Sequence, residues 1–271
     1  MVDSIISPAQ EMFMGMEDVA ASVAGGGGAP AWHPDDDLTD WGVYLLADAD
    51  DITLNDTTVA AWANRGTVDV QFKQGTESLQ PLWSAENGVD FDGADDRLVA
   101  RNGADSANVL WSGLLGANAV STMVCVFNAD AIASNAANVW ENDCIIGDSS
   151  GAAGLHLRST PVWRPYLYAA GAKTDEQAIS TSALQVGAFR KIAHVADTPS
   201  LWTPVNDDAE SSGTIANGAS SSLAEAVTMG DTDLSAPFNG KIKLLAIRNT
   251  ALSAEDLLTL RQNLMTYFGI E

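Results

Sequence analysis

Short apolar runs separated by polar turns fill most of the chain between Trp32 and Asn249. The segment Gly88–Val99 (GVDFDGADDRLV) alternates apolar and polar residues around an Asp/Gly turn, and Pro237–Ile247 (PFNGKIKLLAI) does the same near the end. Alternation with a period of two is typical of strands that bury one face. Strands this short, with polar turns between them, favour an antiparallel sandwich over βαβ units. The pattern therefore predicts an all-β, two-layer antiparallel sandwich in which these segments are the opening and closing strands.

The same pattern predicts a series of strands along the central part of the chain. Polar turns separate them, and we interpret Asp92-Gly93 as a hairpin turn. The predicted strands are Trp41–Ala47, Val59–Asn64, Val68–Lys73, Val89–Phe91, Arg97–Ala100, Thr122–Phe127, Cys144–Gly147, Leu155–Arg158, Tyr166–Ala169, Phe189–Ala196, Ala226–Gly230 and Gly240–Arg248.

A helical period marks the end of the chain. Ser253 and Asp256 match a capping box, with Asp in the position that Glu or Gln usually takes. Gly269 lies where a helix C-cap is expected. The apolar side chains between these signals share one helical face, namely Leu257, Leu260, Leu264 and Tyr267. We therefore predict a terminal helix over 253–268 that packs on the sandwich through this face.

The first 28 residues look separate from the domain at 29–271. Ser7 and Pro8 suit the start of a helix, and glycines at 25–28 form a flexible tether. Between them lies an apolar stripe that one short helix cannot bury by itself, made of Met12, Phe13, Met16, Val19 and Val23. We interpret the segment as a helical or extended anchor. It folds back on its own domain, docks on a partner protein, or is a disordered tail.

The charge of the chain narrows the choice of partners. Its 36 acidic and 13 basic residues give a net charge of −23. Such a surface repels phosphate backbones and anionic bilayers, so we expect neither nucleic-acid binding nor membrane docking. No apolar run reaches the roughly 20 residues of a membrane span, and the N-terminus has no recognisable secretory signal.

Five segments occur in an informative order. They are Val89–Leu98 (VDFDGADDRL), Ser121–Phe127 (STMVCVF), Phe189–Val195 (FRKIAHV), Val227–Ile242 with its Gly230 and its FNGKI ending, and Asn249–Glu255 (NTALSAE). In this order they resemble the strands and terminal helix of the concanavalin A-like jelly rolls, specifically the laminin-G-like or pentraxin-like branch. The resemblance covers roughly Trp41 to Phe268 and implies a jelly-roll topology.

The succession of a short helix, a glycine tether and a jelly roll is similar to virion proteins of tailed bacteriophages. This second resemblance implies a structural protein of a phage-like virion, as a head decoration, fibre or tail-associated protein assembled in the host cytoplasm. Its partners would be other virion proteins, reached through residues 1–28, and further copies of the chain in a homo-oligomer. The alternative is a carbohydrate-binding module that recognises a cell-surface glycan. A glycan hydrolase is the least favoured interpretation.

The sequence offers no recognisable catalytic constellation. Glucanases of this fold carry Glu-x-Asp-x-x-Glu, which holds two carboxylates about 5 Å apart for retaining hydrolysis, and this chain has no such run. A Gly-x-Ser-x-Gly motif is also missing, and the three histidines, His33, His156 and His194, lie far apart in the sequence. We therefore expect that the protein is not an enzyme.

An acidic turn is the candidate metal site. Asp92, Asp95 and Asp96 lie within five residues, and Ca²⁺ prefers clustered carboxylate oxygens. Aspartates in a turn also accept backbone hydrogen bonds without any metal, and we favour that role. No cofactor is therefore expected, with Ca²⁺ as the alternative.

Aromatic and polar residues of the middle region are the candidate glycan site. Trp163 lies between two prolines in a predicted loop, so it is the best candidate for an exposed ring. Arg164, Asp148 and Trp202 supply further polar and aromatic groups. Placement in the core is the alternative for most of the aromatic residues.

Overall fold

The computed structural model of the protein describes residues 32–115, 121–132, 143–147, 153–158, 162–167, 177–178, 183–191, 199–203, 206, 211–214, 226–231 and 237–271. The described residues from His33 onward belong to one unit. The predicted anchor at 1–28 lies outside the described residues, so its stripe of Met12, Phe13, Met16, Val19 and Val23 stays a prediction.

Short strands make up most of this unit. They are β1 (Val43–Leu46), β2 (Ile52–Asn55), β3 (Thr58–Ala63), β4 (Val70–Lys73), β5 (Leu82–Ser84), β6 (Gly88–Asp92), β7 (Leu98–Asn102), β8 (Ser121–Ala131), β9 (Asp143–Gly147), β10 (Ala153–Arg158), β11 (Val162–Leu167), β12 (Gln177–Ala178), β13 (Gln185–Lys191), β14 (Pro199–Thr203), β15 (Ser211–Thr214), β16 (Thr228–Met229) and β17 (Asn239–Arg248). The helices are α1 (Asp35–Leu38), α2 (Trp111–Leu115) and α3 (Ala254–Phe268). No helix in the described ranges is long and apolar enough to cross a bilayer.

The strands form two layers of antiparallel pairs. One layer runs β5-β6-β17-β8-β13-β14-β15, and β1 joins β17 on the same side as β6. The other runs β2-β3-β4-β7-β16-β9-β10-β11-β12. A pairing of β3 with β5 joins the layers at one edge. The predicted all-β antiparallel fold with a short C-terminal helix is thus confirmed.

One hydrophobic core fills the space between the layers. Leu98 and Ala100 of β7 face it from one layer, and Met123 and Cys125 of β8 face it from the other, all fully buried. The intervening residue Val99 is only partly buried, as strand alternation requires. Because each large apolar side chain contributes about 1.5–3 kcal/mol on burial, this core is the main source of stability.

The turn after β6 differs from the predicted hairpin. β6 pairs with β5 and β17, whereas β7 pairs with β4 and β16. The Asp92-Gly93 turn therefore carries the chain from one layer to the other. Gly93 has a φ of 74°, and a Cβ there would lie 2.6 Å from the Cβ of Asn239. Only glycine fits this backbone and this close approach.

Two further predictions about elements need correction. β11 begins at Val162, four residues before the predicted strand at 166–169, so Trp163 lies in a strand rather than a loop. The sequence pattern also missed β2, β5, β12, β14 and β15. Three of the four residues of β2 are exposed, so this strand has no alternating buried face to reveal it.

The terminal helix begins and ends where the sequence predicts. The Ser253 hydroxyl accepts the Asp256 N–H at 3.0 Å and donates to the Asp256 carboxylate at 2.7 Å. Gly269 closes the helix in the left-handed conformation. The buried face contains Leu257, Leu260 and Leu264 as expected.

Two residues of the same helix depart from the predicted face. Tyr267 is 41% exposed, whereas Arg261 is buried. The Arg261 guanidinium donates to the backbone carbonyl of Asn206, next to β13. The helix therefore holds the 206 turn as well as covering the sheet.

Replacing Leu264 tests the packing of this helix. Leu264→Ala removes a fully buried side chain, and we expect it to lower the free energy of unfolding by about 3 kcal/mol. Leu258→Ala is the matched control on the same helix, because Leu258 is 40% exposed, and it should cost less than about 1 kcal/mol. Urea denaturation measures both, and equal losses would contradict the packing described.

Candidate functional site

The three aspartates of the predicted metal site do converge. The carboxylate oxygens of Asp92, Asp95 and Asp96 lie within 4.8 Å of one another. Asp92 and Asp95 are exposed, whereas Asp96 is buried. Asp92 Oδ1 accepts the Ala94 N–H at 2.8 Å, and Asp96 Oδ2 accepts the Asp92 N–H at 2.9 Å. Two of the carboxylates therefore already stabilise the turn, which is the role that we favoured from the sequence.

Asp96 is the electrostatically unusual member of the cluster. Burial raises the pKa of its carboxyl to about 6, against the hydrogen bond from the Asp92 N–H, which lowers it. The neighbouring charges of Asp92 and Asp95 raise the pKa further. The folded protein therefore holds a proton on Asp96 at a pH where the unfolded chain has lost it.

This linkage predicts how stability responds to pH. Since the pKa of Asp96 is higher in the folded state, its contribution to stability is fully present below about pH 4 and is lost as the pH rises through about 6. Asp96→Asn keeps an oxygen acceptor for the Asp92 N–H and removes the charge. We expect the variant to be more stable than the parent by about 1–2 kcal/mol at pH 8 and equal to it near pH 3.5. Denaturant unfolding across this range measures the difference.

The same variant decides between the turn and the metal interpretations. A cation held by the three carboxylates would raise the melting temperature of the parent when Ca²⁺ is added, and Asp96→Asn would reduce that shift. A turn without a metal leaves both melting temperatures unchanged by Ca²⁺ or a chelator. A less stable Asp96→Asn protein at pH 8 without Ca²⁺ would contradict the account of a buried, unfavourable charge.

The predicted glycan-site residues lie on separate strands where the structure describes their backbone. Trp163 and Arg164 lie in β11, paired with Leu157 and His156 of β10. Trp202 lies in β14, in the other layer. Asp148 lies outside the described residues.

A polar groove on the solvent face of β4 and β7 was not predicted. It has a volume of about 680 Å³, and we call it the outer groove. β4 and β7 bury Phe72 and Ala100 in the core and turn Lys73 and Arg101 outward. The residues that line it are Asn55, Ala60, Lys73, Gln74, Gly75, Gln80, Val99, Arg101, Asp105 and Asn108. It lies in the same layer as β11.

Hydrogen bonds hold the charged side chains of the groove in place. Asp105 Oδ2 accepts from Lys73 Nζ at 2.9 Å, and Asp105 Oδ1 accepts from Arg101 Nε at 2.9 Å. These bonds lower the pKa of the Asp105 carboxyl. Arg101 also donates to the Asn108 side chain and to the Asp105 carbonyl. The two cations and one carboxylate leave the groove with a local positive charge on a strongly acidic protein.

Amide side chains form a second polar wall. Gln80 is buried, donates to the Gln74 carbonyl at 2.6 Å and accepts from the Thr58 hydroxyl at 2.7 Å. Gln74 donates to the Arg97 carbonyl at 3.3 Å and accepts the Thr76 N–H at 3.0 Å. The wall is therefore fixed before any ligand arrives. In the sequence, these groove residues look like the ordinary solvent-exposed polar residues of any strand. The sequence pattern therefore could not reveal that their side chains converge in one groove.

The comparisons with known proteins concern the fold. No family model matches the sequence, and no curated protein is similar to it in sequence. Among solved structures, Trypanosoma rangeli sialidase in complex with 2,3-difluoro-KDN matches with 16% identity and a TM-score of 0.54, over 91% of this chain and 36% of that one. Another structure of Trypanosoma rangeli sialidase matches with 15% identity and a TM-score of 0.53, over 82% of this chain and 33% of that one.

A domain of a bacterial arabinanase is a weaker match. Domain 4 of AbnA, a GH43 extracellular arabinanase from Geobacillus stearothermophilus, matches with 12% identity and a TM-score of 0.47, over 82% of this chain and 98% of that domain. At these identities the sialidase matches show a shared β-sandwich fold. The chain spans about a third of the length of the sialidase chains that it matches.

The sialidase matches correct one prediction from the sequence. We expected that the protein is not an enzyme, because familiar catalytic motifs are missing from the sequence. That prediction is contradicted, because sialidases are among the solved structures that share the fold. A missing glucanase motif excludes one chemistry, and the fold is compatible with others.

Proposed function

We propose that this protein is a glycan-binding domain and that the outer groove is its binding surface. The observation that carries the proposal is the convergence of charged and amide side chains in a groove of about 680 Å³ on the solvent face of β4 and β7. The fold shared with a sialidase supports it, because that protein acts on a sugar. This interpretation takes the place of the virion structural role as the leading one.

The chemistry of the groove suits a ligand rich in hydroxyl groups. A sugar hydroxyl both donates and accepts, and the Asn108 amide and the Asp105 carboxylate provide the matching partners. Lys73 gives one of its three N–H donors to Asp105, which leaves the others for a ligand oxygen. Because Gln74, Gln80 and Arg101 are already fixed by hydrogen bonds, binding costs little side-chain entropy.

The groove also differs from a stacking platform. Its described lining contains no aromatic ring, so recognition would rest on hydrogen bonds and charge rather than on contact with a sugar's apolar face. The local positive charge favours sugars that carry acidic substituents. The predicted contribution of Trp163, Arg164, Asp148 and Trp202 to glycan binding stays a prediction.

Lysine substitutions test the groove. Lys73→Ala removes a charged donor while Arg101 still holds Asp105, and we expect it to weaken binding of the best ligand on a glycan array about tenfold. The affinity is measured by calorimetry. Lys241→Ala is the matched control, because Lys241 also pairs with an exposed aspartate, Asp130, but lies in the other layer. Equal losses in the two variants, or no glycan bound by the parent, would contradict the proposal.

A place on a phage-like particle is a second proposal, and it rests on the sequence. The apolar stripe of residues 1–28, on a tether of four glycines, suits attachment to a partner or to further copies of the chain. We expect the full chain to be a homo-oligomer and the protein without residues 1–28 to be a monomer, as measured by light scattering after size exclusion. An unchanged mass per particle after the truncation would refute anchoring through this segment.

A further inference from the structure

A second hollow lies where β17 changes partners. On one side β17 pairs with β6 through Asn239–Ile242 and with β1 through Leu244–Ile247. Lys243 lies between the two pairings, and the gap beside it opens into a hollow of about 230 Å³, which we call the seam hollow. It is lined by Leu46, Ala47, Asp48, Ala49, Trp83, Ala85, Gly88, Lys243, Tyr267 and Phe268.

Three aromatic residues form the walls of the seam hollow. Trp83 comes from β5, and Tyr267 and Phe268 come from the last turn of α3, with their rings edge to face at 4.9 Å. Tyr267 is 41% exposed, yet its ring packs edge to face on His33 at 5.0 Å and its hydroxyl lies 3.1 Å from His33 Nε2. An exposed ring that is held this firmly is a platform for stacking an apolar ring face.

Two donors in the hollow lack partners in the described structure. The Trp83 indole N–H is buried and has no acceptor there, although buried indole N–H groups usually have one. Lys243 makes no ion pair or side-chain hydrogen bond with the described residues. This is unusual in a chain with 36 acidic and 13 basic residues. An acceptor group placed in the hollow would give both donors a partner.

An acceptor on the opposite wall has its charge balanced by an arginine. Asp48 Oδ2 accepts from Arg65 Nη2 at 3.1 Å, and Arg65 also binds Asp35 at 3.0 Å and Asp51 at 2.5 Å. The guanidinium fixes the Asp48 carboxylate and screens its charge, so an anionic ligand can approach. The second oxygen of Asp48 remains available as an acceptor for hydroxyl groups.

We propose that the seam hollow binds a single pyranose ring that carries a carboxylate, that is, a sugar of the hexuronate class. Lys243 pairs with the carboxylate, Tyr267 stacks on the apolar face of the ring, Trp83 donates to a ring or hydroxyl oxygen, and Asp48 accepts from a hydroxyl. The volume is below the about 300–1,000 Å³ of pockets for drug-sized ligands, so one ring fits and an oligosaccharide does not. The site shares no residue with the outer groove.

Matched ligands and matched lysines test this inference. Methyl β-D-glucuronide and methyl β-D-glucoside differ only at C6, which is a carboxylate in the first and a hydroxymethyl group in the second, and we expect the glucuronide to bind at least tenfold more tightly. Lys243→Met should weaken glucuronide binding at least tenfold and leave glucoside binding unchanged. Lys241→Met is the control on the same strand, because the Lys241 ammonium already pairs with Asp130 and Asp90, and it should change neither affinity more than twofold.

Nuclear magnetic resonance locates the bound sugar. Trp83→Phe identifies the indole N–H signal of Trp83 among the eight tryptophans, and in the parent protein this signal should shift downfield as glucuronide is added. Lys243→Arg should keep most of the affinity, which separates loss of charge from misfolding. Lys73→Ala should not affect this site, so failure of the groove and failure of the hollow are distinguishable. Equal binding of the two sugars, or an unmoved Trp83 signal at saturation, would overturn the proposal.

Discussion

The change of partners along β17 is the constraint on which the rest of the structure depends. This ten-residue strand runs the length of one layer, with β8 on one side and with β6 followed by β1 on the other. Gly240 allows it to lie close to β8, since a Cβ there would lie 2.1 Å from the Asn128 carbonyl oxygen. The strand therefore fixes β1, β6 and β8 relative to one another, and through them the core and the turns between the layers.

Both candidate sites follow from this geometry. The layer that contains β17 packs on the inner face of the second layer, where Phe72 and Ala100 are buried. Because side chains alternate along a strand, Lys73 and Arg101 then lie on the outer face of the second layer. The same strand leaves Lys243 opposite neither β6 nor β1, and α3 ends beside that gap with two aromatic rings. The outer groove and the seam hollow are consequences of how the sheet is closed.

The pattern of apolar residues was sufficient to predict the fold class, but it did not predict how the chain connects one strand to the next. Strands with an alternating buried face, such as β4 and β7, follow from the sequence because burial alone selects their residues. The crossing at Asp92-Gly93 does not, because the same turn residues suit a hairpin and a passage between layers. The turn at Asn206 was not predictable for the same reason. Asn206 adopts a φ of 58°, where glycine is more usual. Two hydrogen bonds to the Val186 backbone, one from the Asn206 N–H and one to its side-chain oxygen, hold it in this conformation.

The candidate sites also differ in how far the sequence could predict them. The convergence of Asp92, Asp95 and Asp96 could be predicted, since neighbours in sequence stay neighbours in a turn. Lys73 and Arg101, or Lys243 and Tyr267, are brought together by pairing between distant segments, which no local pattern reports. Trp163 failed as a loop residue because flanking prolines do not exclude a strand at the edge region of a sheet.

The central claim is that the polar face of the second layer is a surface for sugar recognition. Backbone amide shifts of the isotope-labelled Lys243→Met variant, in which the seam hollow lacks its cation, followed during titration with the glycan that binds best on an array, test it most directly. The account predicts saturable shifts concentrated in β4, β7 and the 102–108 loop, with the α3-covered face of the other layer unmoved. Shifts confined to that other layer, or none at any glycan concentration, would contradict it.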